Sequence, residues 1–109
     1  MIYLCNTFSP QMLPRLSVGE GRKVMIERIS ASNAFETLRD CDVVSCFGHK
    51  CSAWHLSRYL RLEILPDRGE ICLRPEDTLI VAAVVNKNRW LQHVDGVPKW
   101  VFYKVTSVQ

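Results

Sequence analysis

The sequence predicts an α/β fold: one domain with a mixed sheet of five or six strands flanked by short helices. Three observations carry that expectation. Apolar runs of strand length alternate with segments of helical period. One run, Leu79 to Val85, is apolar on both faces and so belongs inside a sheet rather than at its edge. Ser, Pro and Gly stand between the runs, where caps and turns are needed. The 109 residues leave room for one domain, residues 1–109, with no internal repeat or low-complexity linker. A chain that is 48% hydrophobic and 23% charged can bury a core, which excludes a disordered profile.

Taken in order, Ile2 to Cys5 reads as a short apolar strand. Ser9 suits an N-cap and Pro10 a first helical position, so one helical turn over Gln11–Leu13 is expected, halted by Pro14. After the Gly19-Glu20-Gly21 turn, Lys23 to Ile29 alternates as a second strand. Ser30 or Ser32 then caps a helix to about Arg39, with Glu36 at capping-box-like spacing and Ala34, Phe35 and Leu38 on its apolar face. Asp42 to Phe47 is a buried strand closed by the turn Gly48-His49. A helix from about Cys51 to Leu60 puts Ala53, Leu56, Tyr59 and Leu60 on one side. Glu70 to Leu73 is read as a strand, Arg74 to Thr78 as a turn, and Leu79 to Val85 as the central strand. Asn86 to Gly96 is a polar, basic loop, and Trp100 to Val105 the last strand.

A net charge of +3 is too small for a protein that coats duplex DNA by charge alone, so any anion site must be local. No run approaches the roughly 20 apolar residues of a membrane-spanning helix, and no basic-then-apolar leader is visible, so no membrane partner and an intracellular setting are expected. Five cysteines, an odd number scattered over unrelated segments, do not describe a disulfide-stapled module, although one bridge is compatible with them. Cys5, Cys46 and Cys72 read as small core residues.

Two strand-to-helix switches carry the chemistry. In Val44-Ser45-Cys46-Phe47-Gly48-His49-Lys50, Gly48 lets backbone approach a ligand, and the helix that follows offers unpaired N–H groups and a positive dipole end. His49 stands at that mouth, where an imidazole beside a phosphodiester is a metal-free proton donor or acceptor; the plainer reading is a solvent-facing turn histidine. The second switch is Cys5-Asn6-Thr7-Phe8-Ser9-Pro10. If the first and third strands are parallel neighbours, both switches open at their carboxyl ends, and Asn6 and Ser9 are candidate contacts to phosphate or ribose; the plainer reading of Ser9 is a helix cap. Arg68, in Asp67-Arg68-Gly69, and Lys87 and Arg89, in Asn86-Lys87-Asn88-Arg89-Trp90, lie in basic loops able to clamp phosphates, with Trp90 placed to stack on a base; most such loops are merely solvated. Cys41, Cys46, His49, Cys51 and His55 crowd together in sequence but straddle strand, turn and helix, so their side chains should diverge, and no metal ligand or cofactor is assigned. Cys51 at a helix start is a minor nucleophile candidate.

The segments Asn6-Thr7-Phe8-Ser9-Pro10-Gln11-Met12-Leu13 and Gly48-His49 together resemble a crenarchaeal virus ring nuclease family, whose pattern is Asn-x-Phe-Ser-x-x-Met-Leu followed by a central Gly-His ahead of a helix. The likeness spans most of the chain in length and element order. It implies a type III anti-CRISPR protein of an archaeal virus, acting in the infected host's cytoplasm as a homodimer that binds cyclic tetra-adenylate across its two-fold axis and cleaves it without metal. By motif, His49 matches the catalytic histidine, Ser9 a serine near ribose and phosphate, and Arg68 an arginine just before a strand, with Gly69 where relatives have an apolar residue. Where relatives tend to read Ser-Gln-Arg-Leu-Glu-Glu-Gly, this chain has Val85-Asn86-Lys87-Asn88-Arg89-Trp90-Leu91; Lys87 or Arg89 takes the basic role, and the acidic partner has no equivalent.

Two other readings stand beside it. One is a non-catalytic viral nucleic-acid-binding protein using the same basic loops with Trp54 and Trp90, in keeping with a pI near 8.7. The other is a host-directed interaction protein with no ligand, for which exposed aromatic residues near the C-terminus are expected as partner surface.

Overall fold

Period-two alternation along the strands sorts their side chains onto two apolar faces, and different parts of the chain cover each. The structure is a computed structural model that describes residues 1–39, 43–46, 50–64, 71–85 and 99–108. Its elements are β1 (Ile2–Cys5), a 3-10 turn (Pro10–Met12), β2 (Lys23–Ile29), α1 (Ala31–Arg39), β3 (Val43–Ser45), α2 (Lys50–Leu60), β4 (Thr78–Val85) and β5 (Lys99–Val108). The five strands form one mixed sheet in the order β2-β5-β4-β1-β3. β1 is parallel to both β3 and β4, while β5 is antiparallel to β4 and β2. The α/β architecture is therefore as expected, with β4 inside the sheet as its two apolar faces require.

On the first face, Leu4, Ile80, Ala82, Trp100 and Phe102 pack against Ala34 and Leu38 of α1 and Ala53, Leu56 and Leu60 of α2. On the second, Cys5, Cys46, Leu79, Val81 and Val105 pack against Ile71 and Leu73, with Phe8, Met12 and Leu13 from the segment around the 3-10 turn. The sheet is thus covered by helices on one side and by extended chain on the other.

Local signals explain the ends. Ser9 accepts the Gln11 N–H at 3.3 Å with Pro10 in the first turn, so the short helical turn forms one residue earlier than its expected start. Of the two serines considered for α1, Ser30 is the cap: its Oγ accepts the Asn33 N–H at 3.1 Å, and Ser32 and Glu36 stay exposed. At the far end of α2, Arg61 takes a left-handed φ of 56° and Leu62 N–H donates to the Ser57 carbonyl at 3.1 Å, a Schellman closure. Ser57 Oγ accepts the Ile64 N–H at 3.0 Å and donates to the Ala53 carbonyl at 2.7 Å, which folds the exit back on the helix.

Three expectations need correction. Ile71–Leu73 is not a strand: Ile71 and Leu73 turn into the second face and Leu73 N–H donates to the Met12 carbonyl at 2.6 Å, so the segment lies across the sheet instead of joining it. Cys72, alternating between them, is exposed and not a core residue. Tyr59 is 44% exposed, because it lies about a quarter turn off the line of Ala53, Leu56 and Leu60 at roughly 100° per residue. It reaches back to stack on Phe102 at 6.2 Å. The third strand is described over Val43–Ser45; Asp42, Phe47 and Glu70 lie outside the described residues.

Candidate functional site

Cys5 is the last residue of β1 and Ser45 the last of β3, and the two strands are parallel neighbours with Leu4 opposite Ser45. Both switches picked out in the sequence therefore begin at the same end of the sheet. From there the chain leaves in opposite directions. After β1 it crosses the second face, where Phe8, Met12 and Leu13 are packed; after β3 it enters α2, whose Ala53, Leu56 and Leu60 pack on the first face. Neighbouring parallel strands whose connections go to opposite faces leave a crevice beyond their carboxyl ends, the usual ligand position in open α/β sheets. β4 forms one wall. It pairs with β1 as far as Val81 opposite Cys5, and Ala82–Val85 run on past, about 13 Å at the usual rise per residue.

The described polar groups of this rim are few. Asn6 is exposed immediately after β1, with its Oδ1 3.7 Å from the Cys5 Sγ. Ser9 is partly buried; its Oγ accepts from the Gln11 N–H, so its cap role is real and its own hydroxyl proton is left to donate elsewhere. Ser45 Oγ, at the end of β3, is buried without a hydrogen-bond partner among the described residues, a polar group the sequence reading did not single out. No motif marked it, because only strand pairing shows where β3 ends. Lys50 is the first residue of α2, so a helix does begin where the anion site was expected, and its dipole and leading N–H groups follow. Gly48, His49, Arg68, Lys87 and Arg89 lie outside the described residues, as do Cys41 and Trp90. Asn6 and Ser9 are thus brought to the rim together with the start of α2.

Elsewhere, Trp54 is 53% exposed on α2, with the Arg58 guanidinium 4.8 Å over its ring and His55 edge-on at 4.9 Å. A separate cleft of about 440 Å³ opens on the first face between the end of β2, the start of α1, Tyr59 and the start of β5. It holds none of the candidate phosphate or ribose contacts. Below the rim on the second face, burial and then the Asp77 carboxylate hold the Tyr3 phenol above its ordinary value of 10.0. Asp77 is itself buried, accepting from the Met1 ammonium at 3.2 Å and the Arg74 N–H at 3.0 Å. Among the described residues no three His, Cys, Asp or Glu side chains gather as a metal-binding group, and no helix is long and apolar enough to cross a membrane.

Comparison with known proteins adds the lineage. No curated protein matches the chain. Among solved structures, B116 of Sulfolobus turreted icosahedral virus superposes with a TM-score of 0.73 over 96% of this chain and 97% of that one, at 16% sequence identity, a likeness that speaks to the fold. A family model described as STIV B116-like matches residues 2–90, and the chain therefore belongs to the STIV B116-like family of viral proteins.

Proposed function

We propose that this viral protein is a metal-independent ring nuclease that binds and cleaves cyclic tetra-adenylate in the infected host cell, as a homodimer with the ring across the two-fold axis. The observation that carries the reading is the divergence of the chain at the paired ends of β1 and β3. It opens a crevice between the Asn6–Ser9 turn and the start of α2, the two segments whose residues resemble the ring nucleases.

The chemistry asks little of the protein. Each 3′-5′ phosphodiester of the ring has an adjacent 2′-OH that can attack in line, forming a P–O bond to the 2′ oxygen and breaking the bond to the 5′ oxygen, with a 2′,3′-cyclic phosphate left behind. Positioning and proton transfer suffice. His49 precedes the first residue of α2 and is assigned as general acid to the departing 5′ oxygen, its imidazolium sustained by the anionic ring. Arg68 with Lys87 or Arg89 offsets charge on the phosphoryl oxygens, while Asn6 and Ser9 donate to phosphate or ribose. Gly48 leaves room for the backbone, and Lys50 adds positive charge at the helix start.

The test is incubation of the protein with labelled cyclic tetra-adenylate and a chelator. Linear products are expected with wild type, and none with His49→Ala, whose affinity stays within about tenfold because a general acid acts on the transition state. Unimpaired cleavage by His49→Ala would remove the mechanism, and absence of both binding and cleavage in wild type would remove the function. A non-catalytic nucleic-acid-binding protein is the second reading, favoured by the exposed Trp54–Arg58 pair. It calls for binding to ordinary DNA or RNA that weakens steeply with salt and ignores cyclic tetra-adenylate.

A further inference from the structure

The β1–β3 ladder runs at a constant offset, with Ile2 opposite Val43, Tyr3 opposite Val44 and Leu4 opposite Ser45. The ladder ends there, and continuing its offset by one residue places Cys46, just past β3, beside Cys5 at the end of β1. The strands are still in register there, since Cys46 N–H donates to the Leu4 carbonyl at 2.7 Å. Both side chains belong to the cluster on the second face, at 6% and 8% exposure, and both are thiols. Cys5 Sγ lies 3.5 Å from the Cys46 carbonyl oxygen and 3.7 Å from Asn6 Oδ1. Adjacent strands lie about 4.8 Å apart, inside the roughly 4.4–6.8 Å window of Cα separations that a disulfide accepts, and the strand ends need to close by a few tenths of an ångström to bring the Cβ atoms within about 4.5 Å.

We propose that Cys5 and Cys46 form a reversible disulfide that ties β1 to β3 beneath the crevice and makes the site redox-sensitive. The effect on ligand rests on the ring-nuclease reading; the cross-link does not. The oxidant is a small-molecule disulfide. One cysteine thiolate attacks it, forming a mixed disulfide and releasing one thiol. The second thiolate attacks the protein sulfur of that bond and expels the second thiol, so two protein thiols are oxidised and one external disulfide is reduced to two thiols. Access comes from the strand ends, where local opening is least costly. Oxidation removes the S–H that faces Asn6 Oδ1, releasing the side chain that the site uses, and closes a long loop of chain.

The full chain is incubated with oxidised glutathione, then examined by intact mass and peptide mapping without reductant. A species lighter by two hydrogens is expected, with Cys5 joined to Cys46; it should be retained in Cys72→Ser and absent in Cys5→Ser and Cys46→Ser. Its Tm should rise by about 8–16 °C and fall back with reductant, and its Kd for cyclic tetra-adenylate should rise at least about threefold. A cross-link mapping to other cysteines, or Cys5 and Cys46 remaining alkylatable while the exposed Cys72 carries glutathione, overturns the proposal. Equal affinity in both redox states overturns the regulatory half. A cross-link with ligand binding in neither state leaves the tie standing and removes the ring-nuclease reading.

Discussion

The proposed crevice depends on α2 staying on the face opposite the Pro10–Met12 turn, and Leu56 is the largest fully buried side chain of α2 that holds it there. Leu56 is fully buried in the cluster where α2 meets Leu4, Ile80 and Phe102. Leu56→Ala removes three carbons, about 2.4 kcal/mol at roughly 0.8 kcal/mol each. The residual cavity adds about 1 kcal/mol, for a total near 3.5 kcal/mol. Against a stability of about 5–15 kcal/mol for a domain of this kind, that is a large fraction. It corresponds to a fall in Tm of roughly 14 °C at this chain length. Urea unfolding followed by far-UV circular dichroism should show the midpoint moving with an unchanged m-value, since the surface exposed on unfolding is nearly the same. Trp54→Ala on the same helix, which loses a half-exposed ring and its Arg58 contact, is the internal control and should change stability by about 1 kcal/mol or less. A loss below about 1.5 kcal/mol for Leu56→Ala, or parity with the control, would mean that α2 is not seated on the first face, and the opposite-face argument for the crevice would go with it.

Two further outcomes follow from groups near the two faces. Ser57→Ala leaves the Ile64 N–H without its acceptor and unties the exit from α2, so stability should drop by about 1–2 kcal/mol in the same unfolding assay, with Ser57→Thr intermediate. Tyr3 is held above 10.0 by burial and Asp77, so the folded state keeps the phenol proton more tightly than the unfolded chain. That contribution is fully present below pH 10 and is lost as pH rises through the elevated folded value. Thermal melts at and above pH 10 should therefore lose more Tm for wild type than for Tyr3→Phe, and parallel losses in the two proteins would count against the assignment.

Elements were legible wherever a periodic pattern met a cap. β1, β2, α1, α2 and β4 fall within a residue or two of expectation because Ser9-Pro10, Ser30 and the apolar run Leu79–Val85 mark them chemically. What failed had no local signal. Ile71-Cys72-Leu73 alternates like a strand, but alternation says only that Ile71 and Leu73 point one way; whether the segment joins the sheet edge or lies across it depends on a partner, here the Met12 carbonyl, far away in sequence. The same distance in sequence hides Asp77 beside the Met1 ammonium and Ser45 at the end of β3. For the site, the strand-to-turn switch that carries the candidates Asn6 and Ser9 was legible, and so was the parallel pairing of β1 with β3, as a condition. That the two exits go to opposite faces was not, since it is set by where Phe8 and Leu56 find apolar neighbours.

That separation between what builds the crevice and what furnishes it bears on how far residue identity can be followed across the family. B116 shares the fold at a TM-score of 0.73 with 16% identity, so the fold withstands exchange of most of its side chains. Cores tolerate such exchange as long as volume and alternation are kept, because burial is non-directional and each strand needs only apolar residues at every second position. A rim has no such freedom. Under the proposed function Asn6 and Ser9 act through donors at particular points of the turn after β1, and a shift by one residue takes the donor away from its ligand atom. Positions at the carboxyl ends of β1, β3 and β4 should therefore be matched between members by strand register, counted from Cys5 opposite Val81 and Leu4 opposite Ser45, before any likeness of side chain is weighed. By that count Cys5 and Cys46 stand one step past the last β1–β3 pair, beneath the rim, where two apolar residues would serve the packing equally well. Packing alone therefore does not call for the proposed redox tie.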